Sequence, residues 1–316
     1  MAINIIHYAF QDSIGWGVIR DQRITPIPGD YPSTTDLVRA VTPASLTGLT
    51  GDTLALADVT LLAPITRDRQ FICQGANYRQ HMVESGMNPD DKHFNMIFTK
   101  ASSCIVAANS VLEKPERVRF LDYEIELGLV MKRDITASVA VTDANLHEFI
   151  AGIVIVNDYS ARDIQIPEMQ FYKGKSFRTF GPVGPYLCLL EPQDMPLLQN
   201  LDLHLTVNGE TRQRDNTRNL VNGMAATITE LSAVQDLFVG DLIATGTPCG
   251  CALSIPSPTK QRIGAMLPEK TKWKMFMQVQ AKRTQYLKVG DVIEAEISSQ
   301  DGQIHLGRQR NVVVAG

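Results

Sequence analysis

The chain has 316 residues, of which 44% are hydrophobic and 20% charged, and its formal net charge is -4. This length suits one large domain or two modest ones, and the lack of a basic balance argues against a nucleic-acid partner. No apolar run approaches the ~18 residues of a membrane span, and the N-terminus has no signal-peptide pattern, so we expect a cytoplasmic protein with no membrane partner.

Residues 1–65 have the pattern of a small β-rich N-terminal domain. The stretch GWGVIRDQRITPIPG predicts two short strands joined by a turn. STTDLVRAV predicts a short helix with Ser33 or Thr34 as its N-cap, because both side chains can accept a hydrogen bond from the first turn. Residues 66–316 form the second predicted domain.

The second domain is predicted to mix strands and helices without regular alternation. QFICQGANYRQHMVES reads as a strand, a glycine turn and a helix, and a helix over Asp143–Phe149 runs into a buried strand over Ile150–Val156. Asn208-Gly209 is a strong hairpin signal, and GMAATITELSAVQ is helical. Strands outnumber helices, so we predict an α+β fold rather than a doubly wound sheet.

One predicted strand, RFLDYEIELGLVMKRD at Arg119–Asp134, places several carboxylates on one face. Side chains alternate along a strand, so Asp122, Glu124 and Glu126 point the same way. A half-exposed strand with one solvated face is the usual explanation of such a pattern. Asp158 favours another, because it follows the apolar run AGIVIV, where a buried strand ends and ligands or catalytic groups are often found.

Glu124, Glu126 and Asp158 together form a set of oxygen ligands. Such a set suits Mg²⁺ or Mn²⁺, and also Ca²⁺, better than zinc. Three carboxylates leave about three positions of an octahedron for water or substrate. The pattern therefore predicts a metal site that is open to a substrate.

Three further groups are candidates for catalysis or binding. His81 and Glu84 share one face of the predicted helix, so the carboxylate can orient the imidazole, although an exposed structural pair is the simpler explanation. Lys173 and Lys175 lie in a loop, where a lysine near a metal stabilises negative charge on a substrate. Thr247 follows a glycine in a tight turn suited to holding a carboxylate.

In combination and in order, these motifs resemble the fumarylacetoacetate hydrolase family. The resemblance covers about Gln70–Val314 and rests on GANYRQHMVES, DYEIELGLVM, AGIVIVNDYSARDIQ, GKSF, VNGE, GDLIATGTPCG and VGDVIEAEI. It implies a mixed β-roll of α+β type with a small N-terminal β-rich domain, usually a homodimer. It also implies a metal, usually Mg²⁺, held by Glu124, Glu126 and Asp158.

The resemblance assigns roles to the other candidates residue by residue. His81 and Glu84 match the family's water-activating pair, and Lys175 matches its catalytic lysine because KSF is the shared tripeptide. The residues that bind the substrate are then expected to be Gln165, Thr247 and Tyr78. Asp122 is not implied as a ligand, and we expect it at the edge of the site or in water.

The implied activity is hydrolysis of a C–C bond in a ketonic substance, a 1,3-diketo acid of the acylpyruvate type, through a metal-bound enolate. The same site also serves decarboxylation of an oxaloacetate-like 2-oxo acid, or isomerisation, tautomerisation or hydration. The pair of His81 and Glu84 favours hydrolysis, because hydrolysis needs an activated water whereas decarboxylation needs no hydroxide. A non-catalytic binder of 2-oxo acids is the alternative from another class, and the same pair argues against it.

Residues 251–285 are longer than the corresponding stretch of compact family members, and we interpret them as an insertion near the mouth of the pocket or the dimer interface. Its segment KTKWKMFMQVQAKR is basic and rich in methionine. Met275, Phe276 and Met277 are candidates for contact with an apolar substrate tail, although simple packing is the commoner role of such residues.

Overall fold

The computed structural model describes residues 1–91, 94–256, 264 and 266–316. Its strands, in chain order, are β1 (Ile3–Phe10), β2 (Ser13–Arg20), β3 (Arg23–Pro26), β4 (Leu54–Ala55), β5 (Thr60–Leu62), β6 (Phe71–Gly75), β7 (Met96–Lys100), β8 (Ile105–Ala107), β9 (Leu112–Lys114), β10 (Leu121–Asp122), β11 (Ile125–Met131), β12 (Ile150–Asn157), β13 (Ser160–Ala161), β14 (Gly181–Val183), β15 (Leu187–Leu189), β16 (Leu201–Val207), β17 (Glu210–Asn216), β18 (Leu242–Ala244), β19 (Val292–Ser299) and β20 (His305–Ala315). Its α-helices are α1 (Thr34–Ala40), α2 (Pro43–Thr47), α3 (Arg79–Glu84), α4 (Arg162–Gln165), α5 (Phe171–Lys175), α6 (Met224–Val234) and α7 (Glu269–Gln280). Short 3-10 helices lie at Leu56–Asp58, Pro89–Asp91, Ser102–Cys104, Leu146–Glu148, Pro192–Asn200 and Thr217–Asn219. Of the helices in the described ranges, none combines the length and the apolar character needed to cross a bilayer.

The described strands form two large sheets that share a hydrophobic core. The larger sheet has 13 strands, with a main path of β4-β3-β2-β1-β15-β12-β11-β18-β6-β7, and the smaller has the order β17-β16-β19-β20-β9. Most neighbours are antiparallel, whereas β6 and β18 are parallel. One hydrophobic cluster contains side chains of both sheets, such as Leu127 and Ile153 from the first and Leu203 and Ile297 from the second. The predicted α+β class and mixed sheet are confirmed.

The N-terminal strands belong to the larger sheet. β1 pairs with β15 in the register Ile3↔Leu189, and β15 in turn pairs with β12. A second hydrophobic cluster contains Trp16 and Leu37 together with Val154. The division of the chain at residue 65 therefore stays a prediction, while the β-rich character of residues 1–65 is confirmed.

Several local predictions are confirmed by the hydrogen bonds that the sequence dictates. Ser33 caps α1, with its side chain accepting a hydrogen bond from the Asp36 N–H. The hairpin of β16 and β17 turns at Asn208 and Gly209, which have φ values of 52° and 79°. Positive φ at both central residues is what a type I′ hairpin turn requires, and asparagine and glycine tolerate it best.

One predicted helix is wrong in its extent, and the bounds of the expected insertion stay a prediction. The expected helix over Asp143–Phe149 is only a 3-10 turn at Leu146–Glu148. The Asn145 side chain accepts hydrogen bonds from the Thr142 N–H at 2.7 Å and from the Thr142 hydroxyl, and such local bonds compete with a helix. The expected insertion over 251–285 contains α7, but its residues 257–263 and 265 lie outside the described residues.

The long strand predicted at Arg119–Asp134 is interrupted between β10 and β11. The N–H of Tyr123 donates to the Asp122 carboxylate at 2.9 Å, and the N–H of Glu124 donates to the Asn157 side chain at 3.0 Å. Side chains therefore replace the backbone partners that a continuous ladder would need. Since every residue of β11 is buried, the alternative of a solvated face is also wrong.

Candidate functional site

Three buried carboxylates meet where β11 begins and β12 ends. The two strands are antiparallel and pair Ile125 with Asn157, so Glu124 and Asp158 lie side by side at their ends. The Asp158 N–H donates to the Glu124 carbonyl at 2.8 Å. One carboxylate oxygen each from Glu124, Glu126 and Asp158 can be chosen so that all lie within 4.8 Å of one another. The structure therefore brings together the three predicted metal ligands.

Buried cations hold two of these three carboxylates. Glu124 accepts from the Arg162 guanidinium at 2.5 Å and from the Lys175 ammonium at 2.5 Å. Asp158 accepts from Lys175 and from Lys100, each at 2.6 Å. All of these side chains are at most 7% exposed, so water screens the charges little.

Glu126 is held differently, because it has no ion pair with any cation in the described ranges. Its carboxylate accepts from the Gly246 N–H at 2.8 Å. Burial and the neighbouring charges of Asp158 and Glu124 raise the pKa of Glu126 well above its usual value. Burial also opposes ionisation of Glu124, but Arg162 and Lys175 outweigh it and hold the pKa of Glu124 below its usual value.

The three residues suit a divalent cation. They offer only oxygen ligands, which magnesium, manganese and calcium prefer. A cation beside Glu126 would also compensate the repulsion that disfavours its ionised form. The donor chemistry and the unfavourable charge of Glu126 are therefore consistent with a metal centre.

Asp122 is fully buried, so the expectation that it lies in water is wrong, while its place at the edge of the site stays a prediction. One of its oxygens accepts from the Arg162 Nε at 2.8 Å. The carboxylate also accepts from the N–H groups of Ala252 and Leu253, at 2.7 and 2.9 Å. It therefore joins the start of the 251–285 segment to the same arginine that binds Glu124.

His81 and Glu84 lie on α3, and the histidine lines the same cavity as Glu124 and Glu126. Burial lowers the pKa of His81, partly offset by Glu124, and the ring Nδ1 is buried with no hydrogen-bond partner in the described part of the chain. Glu84 is exposed and accepts from the Gly250 N–H at 3.3 Å. Glu84 does not bond to that nitrogen here, so its orienting role stays a prediction.

The predicted substrate-binding residues divide into two groups. Gln165 and Thr247 line the cavity, where Gln165 accepts from Arg162 at 2.8 Å and the Thr247 hydroxyl donates to the Ile125 carbonyl at 2.9 Å. Tyr78 is fully buried just before α3, does not line the cavity, and has a hydroxyl with no hydrogen-bond partner among the described residues. Its role in binding therefore stays a prediction.

The two lysines of the KGK sequence have different surroundings. Lys175 is buried between Glu124 and Asp158, whereas Lys173 is about half exposed and pairs with Glu168 at the surface. This placement is consistent with the choice of Lys175 as the catalytic lysine.

The cavity beside the carboxylates has a volume of about 290 Å³. Its polar end is formed by Glu124, Glu126, Arg162, Gln165, Lys175 and His81. Its hydrophobic lining, which we call the apolar wall, consists of half-buried side chains: Met87, Met96, Phe98, Ile166, Phe171, Leu253 and Ile255. Met275, Phe276 and Met277 are not part of its lining; Met277 packs against the hydrophobic core.

Sequence reasoning missed two cations of the site. Arg162 was visible in the polar cluster after β12, but nothing in its spacing pointed to Glu124 and Asp122. Lys100 ends β7, and only its position after the apolar residues Met96, Ile97 and Phe98 distinguishes it in the sequence. Its bonds to Asp158 and to the Phe180 carbonyl, at 2.6 and 2.8 Å, join residues far apart in the chain.

Comparison with known proteins places these features among related sequences. The family model described as fumarylacetoacetate (FAA) hydrolase C-terminal matches residues 70–314, and the model described as Rv2993c-like, N-terminal matches residues 5–64. A protein of Burkholderia ambifaria named "Putative hydrolase" is 37% identical over 254 residues, which is 78% of this chain and 86% of the relative.

Solved structures extend the similarity to the whole chain. A fumarylacetoacetate hydrolase from Exiguobacterium antarcticum has a TM-score of 0.73 and 28% identity, covering 99% of this chain and 100% of that one. A 5-carboxymethyl-2-hydroxymuconate delta-isomerase from Mycobacterium smegmatis has a TM-score of 0.71 and 26% identity, with coverage of 99% and 100%. Structures named for hydrolysis and for isomerisation are therefore both similar to this one.

Proposed function

The chain belongs to the fumarylacetoacetate hydrolase family, and from this premise we propose that it is a divalent-metal-dependent hydrolase. It cleaves a C–C bond in a 1,3-diketo acid of the acylpyruvate type, giving a 2-oxo acid and a carboxylic acid. The observation that carries this proposal is that the His81 imidazole lines one cavity with Glu124 and Glu126, two of the three clustered carboxylates. It acts as a cytoplasmic homodimer on a free small molecule, as the family resemblance implies.

Glu124, Glu126 and Asp158 would hold the metal, which we propose to be Mg²⁺, with Mn²⁺ or Ca²⁺ as substitutes. When bound, the ion supplies a Lewis acid that stabilises negative charge on the substrate's oxygens. Arg162 and Lys100 hold Glu124 and Asp158 in place through buried ion pairs. The protein's part is thus to present charged ligands in a site that excludes bulk water.

His81 is the proposed general base. Since burial lowers its pKa, the imidazole is neutral near pH 7 and can accept a proton from water in the cavity. The water oxygen then bonds to the distal carbonyl carbon of the substrate. Glu84, on the same helix, would turn toward His81 and stabilise the imidazolium that forms.

Cleavage follows when the C–C bond between the two fragments breaks and its electron pair passes to the pyruvate fragment. The buried ammonium of Lys175 and the amide of Gln165 donate to the oxygen on which this charge accumulates. Thr247 holds the substrate carboxylate at the other side of the cavity. Protonation of the pyruvate carbon by the imidazolium returns His81 to its neutral form and balances the reaction.

The test is to supply acetylpyruvate, fumarylpyruvate and oxaloacetate separately, with Mg²⁺ or Mn²⁺, and to measure pyruvate release. We expect pyruvate from an acylpyruvate, abolished by EDTA and reduced about 10²- to 10⁴-fold in His81→Ala. Calorimetry should show that His81→Ala still binds the metal. Pyruvate from oxaloacetate alone would instead make the protein a decarboxylase, and a fully active His81→Ala would remove the general-base role.

Isomerisation is the second candidate, favoured by the similarity to the delta-isomerase. An isomerase moves a proton within its substrate and consumes no water. Reaction in ¹⁸O-labelled water separates the two: hydrolysis places one label in the carboxylic acid product. An unlabelled product of unchanged mass would support the isomerase.

A further inference from the structure

The apolar wall has a composition that the proposed chemistry does not require. Water activation and charge stabilisation use only the polar end of the cavity. The wall begins directly beside that end, since the Lys175 ammonium lies 5.1 Å from the centre of the Phe98 ring. Phe98 in turn packs on Phe171, with ring centres 5.2 Å apart. A substrate held at the carboxylates therefore extends along hydrophobic side chains.

Both cations that line the described part of this cavity lie among the protein's own carboxylates. Arg162 donates to Asp122, Glu124 and Gln165, and Lys175 donates to Glu124 and Asp158. Within the described ranges, no other lysine or arginine lines the cavity. A second carboxylate at the far end of a substrate would thus lie against the apolar wall without a cation, at a high desolvation cost.

From these two observations we propose that the substrate carries an uncharged, apolar acyl group, a chain of several carbons or a ring, rather than an acyl group ending in a second carboxylate. This inference rests on the proposed function and narrows its substrate class. The wall selects the acyl group by burying its hydrocarbon surface, which contributes about fourfold in affinity for each methylene removed from water. An acidic tail gains nothing comparable, because no described side chain of the apolar wall is a cation.

Binding of matched 2-oxo acids tests the wall separately from turnover. The pair is 2-oxooctanoate and 2-oxooctanedioate, which have the same chain length and differ in the terminal carboxylate. Calorimetry with Mn²⁺-loaded protein should give at least tenfold tighter binding of 2-oxooctanoate. Equal affinities, or tighter binding of the diacid, would overturn the proposal.

Two variants test whether the apolar wall causes the preference for 2-oxooctanoate over the diacid. Met87→Lys places a cation in the apolar wall and should reverse the preference, so that the diacid binds more tightly. Met275→Lys makes the same change on α7, at a side chain that is 50% exposed and outside the cavity, and should leave the preference as it is. Equal behaviour of the two variants would show that the wall does not contact the tail.

Turnover separates failure of this inference from failure of the proposed function. Hexanoylpyruvate should release pyruvate with a kcat/KM at least tenfold above that of fumarylpyruvate. Faster cleavage of fumarylpyruvate would refute the apolar acyl group and leave the hydrolase intact. If no acylpyruvate is cleaved but 2-oxooctanoate is still preferred in binding, the hydrolase fails and the apolar wall stands as the selector of another 2-oxo acid reaction.

Discussion

The two ends of the cavity differ in how their side chains are satisfied. At the polar end every carboxylate has a defined partner: Glu124 and Asp158 have buried cations, and Glu126 has the Gly246 N–H. At the apolar wall, methionine, phenylalanine, isoleucine and leucine side chains remain half-buried and face open space. The first end is rigidly specified by charge, whereas the second is specified only by shape and hydrophobicity.

Because of this difference, we expect amino-acid substitutions at the polar end and at the apolar wall to have different effects. Substitutions at the polar end break buried charge pairs and therefore alter folding, metal binding and chemistry together. Substitutions at the apolar wall change which substrate is held and leave the charges untouched. His81 lines the same cavity, where burial lowers its pKa and the charge of Glu124 opposes that shift.

The largest expected effect is on stability, and the KGK sequence provides a matched pair. Lys175→Met removes the cation shared by Glu124 and Asp158 and should lower the free energy of unfolding by about 3–5 kcal/mol in EDTA. Lys173→Met removes an exposed pair and should cost less than about 1 kcal/mol. Urea unfolding measures both. Similar losses in the two variants would contradict the contrast between buried and surface charge.

A smaller effect concerns the metal. At a free Mg²⁺ concentration of 100 times its dissociation constant, the wild type should gain about 2.7 kcal/mol of stability, and Glu126→Gln should gain almost none. Glu113→Gln, at an exposed position of β9, is the control and should keep the gain. A full metal-induced rise in Tm for Glu126→Gln would exclude Glu126 as a ligand.

Glu126 also predicts a pH dependence in the absence of metal. Its pKa is raised in the folded protein, so the folded state favours the protonated form. The contribution of Glu126 to the stability of the wild type should therefore be full below the ordinary glutamate pKa and be lost as the pH rises through the raised value. Glu126→Gln cannot ionise, so its stability in EDTA should fall less over the same pH range.

The smallest expected effect is on the acid limb of the pH profile of kcat/KM. The proposed reaction needs neutral His81, and burial lowers the pKa of His81 below 6.5. The value of kcat/KM should therefore persist to pH values below 6.5 and fall as the pH drops through the lowered pKa. Glu84 raises that pKa, so Glu84→Gln should move the acid limb to lower pH. The shift should be less than about one pH unit, because Glu84 is exposed. A limb above 6.5 would contradict a buried neutral base.

The polar end could be predicted largely from local patterns. The two-residue period of a strand sets Glu124 and Glu126 on one face, and the apolar run before Asp158 marks the end of a buried strand. The antiparallel pairing of those two strands then brings the three carboxylates together. Lys100 could not be predicted in this way, because its contact with Asp158 depends on the packing of strands that are distant in the sequence.

The apolar wall could not be predicted for a related reason. Met87 and Met96 follow α3, Phe171 begins α5, and Ile255 comes from near the end of the chain, so no single periodic pattern contains them. The methionine-rich segment that suggested a substrate contact instead lies on α7, outside the cavity. Composition identified the type of side chain, but only the fold determines which of them line the cavity.

The carboxylate of Asp122 has a consequence for directed evolution. It accepts hydrogen bonds from the backbone N–H groups of Ala252 and Leu253. These bonds fix the path of the chain but do not depend on which side chains the two positions carry. Leu253 and Ile255 line the cavity just beyond this anchor. We therefore expect a combinatorial library at Leu253 and Ile255, with Asp122 kept, to change the substrate preference without displacing the three clustered carboxylates.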